Sequence, residues 1–250
     1  PCCLRCIFPH STFHVAMAAA PNMEMKVHHL WRLALILPII GFSLSFILHQ
    51  ATGHARVWLP FISETDHAGP EAWPFKIGLV STGIVNIILS WKLWEMMKLR
   101  SQEIHWSTNA SLYAGITCGV GAIGVASLRW TLYQEGHIVA AILAFIGGLC
   151  WGIFMDISSK KLKMNEQGIK IRKYAIPIAA ISLLSMTIAF RLGMYRSADI
   201  HKTLDLDLAH TEMLFSAAFE WILFAAFMTV LYSFRWDVTP LPSIPSETEP

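Results

Sequence analysis

Glu220 lies in the middle of the apolar run 215–227, reading FSAAFEWILFAAF, and is the residue best placed to do chemistry. An ionised side chain at that depth costs at least about 2.5–3.5 kcal/mol on insertion scales, so it needs a partner, a proton or a water-lined cavity. If its helix begins near residue 213, Glu220 lies roughly 10 Å down at 1.5 Å per residue. Arg191 and Arg129, near the ends of two other apolar runs, could reach it. Two readings stay open: a buried ion pair locking three helices, or a site for a lipid headgroup or a cation. Asn86, about 17 Å into its own run by the same rise, needs a partner across helices, and Thr117 and Ser185 are the candidate donors. Lys92 and Glu95 are spaced to pair at a helix end.

A second charged feature is the link 160–173. It holds Lys160, Lys161, Lys163, Lys170, Arg172 and Lys173 against one acid, Glu166. Juxtamembrane bases each gain about 1 kcal/mol near an anionic leaflet, so this link either touches phosphoinositide or phosphatidylserine or simply sets topology. The histidines do not have the spacing of a zinc site, and no nucleophile–base pair or phosphate-binding glycine loop is visible. The expectation is therefore no metal, no cofactor, no nucleic-acid partner and no nominated catalytic residue, and the reading leans away from an enzyme. Cys118 and Cys150 lie in apolar runs and read as small core residues. Cys2, Cys3 and Cys6 could bind metal or accept palmitate, but residues 1–25 read as a non-native or disordered extension and receive no function.

These residues need helices to position them. Hydrophobic residues make up 54% of the 250-residue chain and charged residues only 14%, with positive mean hydropathy. Soluble proteins carry about 25% charged residues, so the bilayer is the expected solvent. The expected fold is all-α, a six-helix membrane domain over 26–236 with helices at about 31–49, 75–97, 111–132, 137–157, 174–194 and 213–234. Each matches the ~20 residues a spanning helix requires. The tail 237–250, rich in Pro, Ser and Glu, reads as disordered. With the N-terminus in the cytoplasm, thirteen Lys and Arg fall inside and six outside, which predicts both termini inside. The one glycosylation sequon, Asn109-Ala110-Ser111, then lies on the cytoplasmic side. Ala140, Ala144, Gly148 and Gly152 form a small-residue ladder suited to close helix packing, within the bundle or in a homodimer, which nothing else indicates.

Between the first two runs lies LPFISETDHAGPEAWPF (59–75), hydrophilic and bracketed by prolines. It reads as an ordered outer cap, first as a lid and second as a recognition surface. Its outer-loop motif is Pro60, Ser63, Glu64, Thr65, Pro70 and Glu71, and Ile62-Ser63-Glu64-Thr65, Pro70-Glu71 and Phe75 resemble the (F/Y)-I-S-(D/E)-T-G…P-E…F signature of the DRAM (damage-regulated autophagy modulator) family. That family sits within a wider group of six-helix proteins with a CWH-type N-terminal domain, including suppressors of PI 4-kinase loss and GPI-remodelling factors. Gly124-Val125-Ala126, Gly136-His137 and Glu220-Trp221 agree with the resemblance, which covers about residues 30–237. One departure is Asp66, where the family usually has Gly. The turn must then be made differently, with Gly69 expected to take the positive φ. The resemblance implies a multi-pass protein of the endolysosomal membrane, or alternatively of the plasma membrane or Golgi. It implies a non-enzymatic modulator of autophagy or lysosomal function. The alternative is a lipid-organising protein that regulates phosphoinositide or phospholipid, or remodels GPI-anchor lipid, and binds its lipid near Glu220. Membrane lipids are the expected partners, with protein partners through the cytoplasmic loops and tail.

Overall fold

The structure is a computed structural model; it describes residues 11–55, 59–66, 69–101, 104–197 and 209–238, with side chains described from Val27 onward. The described residues form six α-helices and no strand: α1 (Ser11–Ala51), α2 (Ala72–Arg100), α3 (Trp106–Ser127), α4 (Gln134–Lys161), α5 (Glu166–Ser197) and α6 (His210–Ser233). Two 3₁₀ turns, Ile62–Thr65 and Phe234–Trp236, lie at opposite ends of the bundle. All six helices are long and apolar enough to cross a membrane. Large aliphatic side chains such as Ile40, Ile47, Ile77, Ile181 and Leu184 point outward. That arrangement suits a lipid solvent, which is as apolar as the side chains facing it.

Successive helices run antiparallel. α1 to α4 pack as a continuous series and α5–α6 form a tight hairpin, whereas α4 and α5 touch much less closely. Close packing in the series is made by small residues. A Cβ added to Gly41 of α1 would lie 2.8 Å from the Gly78 Cα of α2, so bulk at either position would push the two helices apart. The α4 ladder is spent inside the bundle: Ala140 and Ala144 meet Gly121 and Gly124 of α3, Gly148 meets Cys118 and Phe227, and Gly152 meets Val230. The largest apolar core, with Leu89, Leu93, Met97, Trp151, Met155 and Phe234, sits toward the end where α2 and α4 finish.

Helix limits depart from hydropathy where polar chemistry sets them. α3 starts at Trp106 because the His105 imidazole accepts the Ser107 N–H, capping donors that a helix start leaves unpaired. It stops at Ser127, and the Arg129 carbonyl then accepts from Leu132 and Tyr133 to make the turn into α4. α1 extends back to Ser11, so the described part of the expected disordered extension is helical; residues 1–10, with Cys2, Cys3 and Cys6, lie outside the described residues. The expected disordered tail also begins too early. Asp237 and Val238 are fully buried, and the rest of 237–250 lies outside the described residues.

Candidate functional site

Residues 59–66 and 69–71 fold across one end of the bundle and are tied down by named bonds. The 3₁₀ turn is closed locally: the Glu64 carboxylate accepts the Phe61 N–H at 2.7 Å, and the Thr65 hydroxyl donates to the Ile62 carbonyl at 2.7 Å. Two bonds then fasten it to α6. Glu220 Oε2 accepts the Ile62 N–H at 2.6 Å, and the Trp221 indole donates to the Pro60 carbonyl at 3.0 Å. On α1, Ser45 Oγ donates to the Glu71 carbonyl at 2.6 Å. The segment is therefore a lid held by residues of its own motif and by Glu220-Trp221.

Among the described residues Glu220 makes no ion pair with Arg129 or Arg191, the first of its two open readings. Among the described residues its polar partner is the backbone of the lid. Arg129 instead faces Asp66, with Nε 3.9 Å from Oδ1, and Lys76 approaches the same oxygen at 3.4 Å. Arg191 lines an open cleft. Asn86 finds neither expected donor: its Oδ1 is buried without a hydrogen-bond partner, while Thr117 bonds back to the Tyr113 carbonyl of its own helix. Lys92 and Glu95 do pair, at 2.6 Å. The turn after Thr65 is also made otherwise than expected. Gly69 has no positive φ; among the described residues the one glycine with positive φ is Gly53. Gly69 instead leaves room for Glu71, since an added Cβ would stand 2.8 Å from the Glu71 carboxyl carbon and the carboxylate would have to shift.

Two cavities meet at Glu220 and Ser63. The first, about 140 Å³, runs down between the helices past Phe42, Phe75 and Phe224, and the orphaned Asn86 amide lies along it. The second is a cleft of about 550 Å³ between α4 and α5. Ile138, Ile142 and Ile146 form one wall, Leu183, Met186 and Phe190 the other, and Glu64, Glu135 and Arg191 line it with Glu220. That volume lies in the range of small-molecule sites, and the mix of apolar walls with a few convergent polar groups is what such sites share.

The link 160–173 is divided. Lys161, Lys163 and Lys173 are exposed, Lys160 binds Asp156 at 2.6 Å, and Lys170 reaches Glu166 at 3.4 Å. Arg172 must be removed from the membrane-facing set. It is fully buried, with Nη1 2.5 Å from Asp237 Oδ2, 3.1 Å from Ser233 Oγ, and Nε 3.5 Å from Asp156. Sequence reasoning missed this cluster. The available signal was an acid, Asp156, at the end of an apolar run.

It also missed a histidine pair beside the lid. His49, at the end of α1, and His54, just beyond it, both bring Nδ1 toward Glu71 Oε1, at 3.5 Å and 2.6 Å. Burial works against the Glu71 charge, but its backbone and the two imidazoles outweigh that and hold the carboxyl below its usual range.

A lidded bundle of six bilayer-length helices defines a multi-pass membrane protein, here with a cleft between α4 and α5 whose apolar walls carry a few polar groups. Residues 27–241 match the family described as the Frag1/DRAM/Sfk1/Cwh43P N-terminal domain, and the chain belongs to that family. It is similar to mouse DNA damage-regulated autophagy modulator protein 1, at 23% identity over 163 residues, covering 59% of this chain and 68% of the relative. The human protein of the same name is 24% identical over 146 residues, covering 57% of this chain and 61% of that protein. No solved structure matches.

Proposed function

We propose that this chain is a lipid-organising protein of the endolysosomal membrane that modulates autophagy or lysosomal function, holding one phospholipid in the α4–α5 cleft. The process rests on the names of its relatives, and the compartment on what the family resemblance implies. The lipid rests on one observation: a cleft of about 550 Å³ whose apolar walls lead to Glu220, Glu64, Glu135 and Arg191. Arg191 suits a phosphate, and the acids suit an ammonium group, so an aminophospholipid fits better than a purely anionic lipid. The exposed Lys161, Lys163 and Lys173 at the other end suit a cytoplasmic anionic leaflet, which would put the lid on the lumenal side.

The test uses the full chain in nanodiscs containing photoactivatable phosphatidylethanolamine. Irradiation should label segments 138–146 and 183–190. A folded Ile142→Trp variant, which fills the cleft, should lose about tenfold in labelling. Equal labelling of variant and wild type would sink the lipid reading. In cells the same variant should also change autophagic flux. Lost labelling with unchanged flux would show that the cleft binds lipid without serving that process, which would favour the adaptor reading through loops and tail.

A further inference from the structure

Of the features outside the cleft, the group His49, His54 and Glu71 carries the most chemistry. Each offers one donor atom, and the three atoms lie within 4.8 Å of one another. They come from three places in the chain: the last turn of α1, the turn beyond it and the residue before α2. His49 and Glu71 are buried, while the His54 side chain is 38% exposed, so the group has a floor and an open side.

We infer that His49, His54 and Glu71 form a binding site for a single divalent transition-metal ion, zinc by its donor set. Two imidazoles and a carboxylate leave a fourth position for water, the arrangement of open zinc sites, whereas calcium and magnesium prefer oxygen donors throughout. Both imidazoles present the same nitrogen, Nδ1, to the same carboxylate oxygen. Donors around one tetrahedral zinc stand roughly 3.3–3.6 Å apart, given bonds of 2.0–2.2 Å. The His49–Glu71 separation of 3.5 Å already fits, and His54, at 2.6 Å, needs to withdraw by under about 1 Å, which its exposed side chain allows.

The surroundings are built for this carboxylate. Gly69 leaves the space its carboxyl group fills, since a Cβ there would come within 2.9 Å of Oε1. Ser45 pins the Glu71 backbone. The Thr52 hydroxyl, 3.1 Å from the same His54 Nδ1, has to give up that contact when the nitrogen turns to the ion. A bound ion would join the end of α1 to the start of α2 beneath the lid, independently of anything held in the α4–α5 cleft.

The experiment takes the full chain in detergent, strips it with a chelator, and titrates zinc by calorimetry, with bound metal counted by mass spectrometry. Cobalt replacing zinc supplies a visible absorption that reports ligand geometry. Wild type should bind one zinc per chain and show the intense visible bands of a four- or five-coordinate cobalt site. His54→Gln, which alters an exposed side chain, should weaken zinc binding by about tenfold or more while leaving the helical circular dichroism intact. Glu71→Gln should abolish the cobalt bands. No zinc at stoichiometric concentration, or unchanged binding in folded His54→Gln, overturns the proposal. Stability that follows pH but not zinc would likewise overturn it and leave a hydrogen-bonded acid–imidazole cluster.

Discussion

Asp66 replaces the small residue expected after the lid's Ser63-Glu64-Thr65, and its carboxylate is almost wholly buried. Lys76 and Arg129 approach it at 3.4 and 3.9 Å, so the lid is held to α2 and to the end of α3 by charge as well as by backbone bonds. Burial nevertheless dominates and raises the Asp66 pKa, with the two cations opposing it. The folded protein then holds this proton more tightly than the unfolded chain. The contribution of Asp66 to stability is complete below the unfolded value near 3.8 and is lost as pH rises through the folded value. Asp66→Asn cannot ionise. Its stability relative to wild type should therefore improve as pH climbs from about 4 toward neutrality, as read by thermal unfolding in detergent across a pH series. A gap that stays constant or shrinks over that interval would contradict this account of burial.

At the scale of elements, the bundle is closed at both ends by short segments that follow or precede helices. Opposite the lid, the 3₁₀ turn Phe234–Trp236 carries Asp237 under α5, where it meets Arg172. Arg100 Nη1 also donates to the Asp237 carbonyl at 2.9 Å, bringing in the end of α2. Removing one partner of a fully buried pair strands the other charge and costs about 3–5 kcal/mol. Asp237→Ala should thus destabilise the protein by that amount, and the double change Arg172→Met with Asp237→Leu should recover most of it, in denaturant titrations of solubilised protein. If both variants unfold alike, the pair is not what anchors the tail. The six helices were legible because a bilayer asks for about 20 apolar residues at a time, and runs of that length are plain in the chain. Their ends were less so, since α2, α4 and α5 continue past the apolar core on polar residues to which hydropathy is blind. Arg172 was misread for the same reason. Among five lysines it looks like a surface charge, and its partner sits 65 residues away in a Pro- and Ser-rich tail. Glu220 was found from sequence because its cost in lipid is high. Its partner, a backbone N–H of the lid, carries no side-chain signal. His49, His54 and Glu71 converge only once the hairpin of α1 and α2 is known.

For the whole molecule, the asymmetry between the two ends sets how it would sit in a membrane. Lys161, Lys163 and Lys173 are exposed where α4 ends and α5 begins, and the lid end is rich in buried acids. Counting Arg172 as neutralised by Asp237 takes one charge from the thirteen and leaves twelve Lys and Arg against six, so the bias survives. By the positive-inside rule the expected orientation has the α4–α5 link in the cytoplasm and the lid outside. Asn109 is consistent with that arrangement. It sits in the first turns of α3, and its Oδ1 accepts the Trp94 indole N–H at 2.8 Å, a contact that a glycan on that amide would disturb. Enzymatic deglycosylation should therefore leave the protein's mobility unchanged. A direct measurement replaces the native cysteines with serine and adds one reporter, Lys163→Cys in the basic link or Ala51→Cys beside the lid, both at exposed positions. In sealed vesicles with the cytoplasmic face outward, an impermeant maleimide should label Lys163→Cys at once. It should reach Ala51→Cys only after the membrane is opened. The reverse pattern would invert the molecule and place the lid and the proposed zinc ligands on the cytoplasmic side.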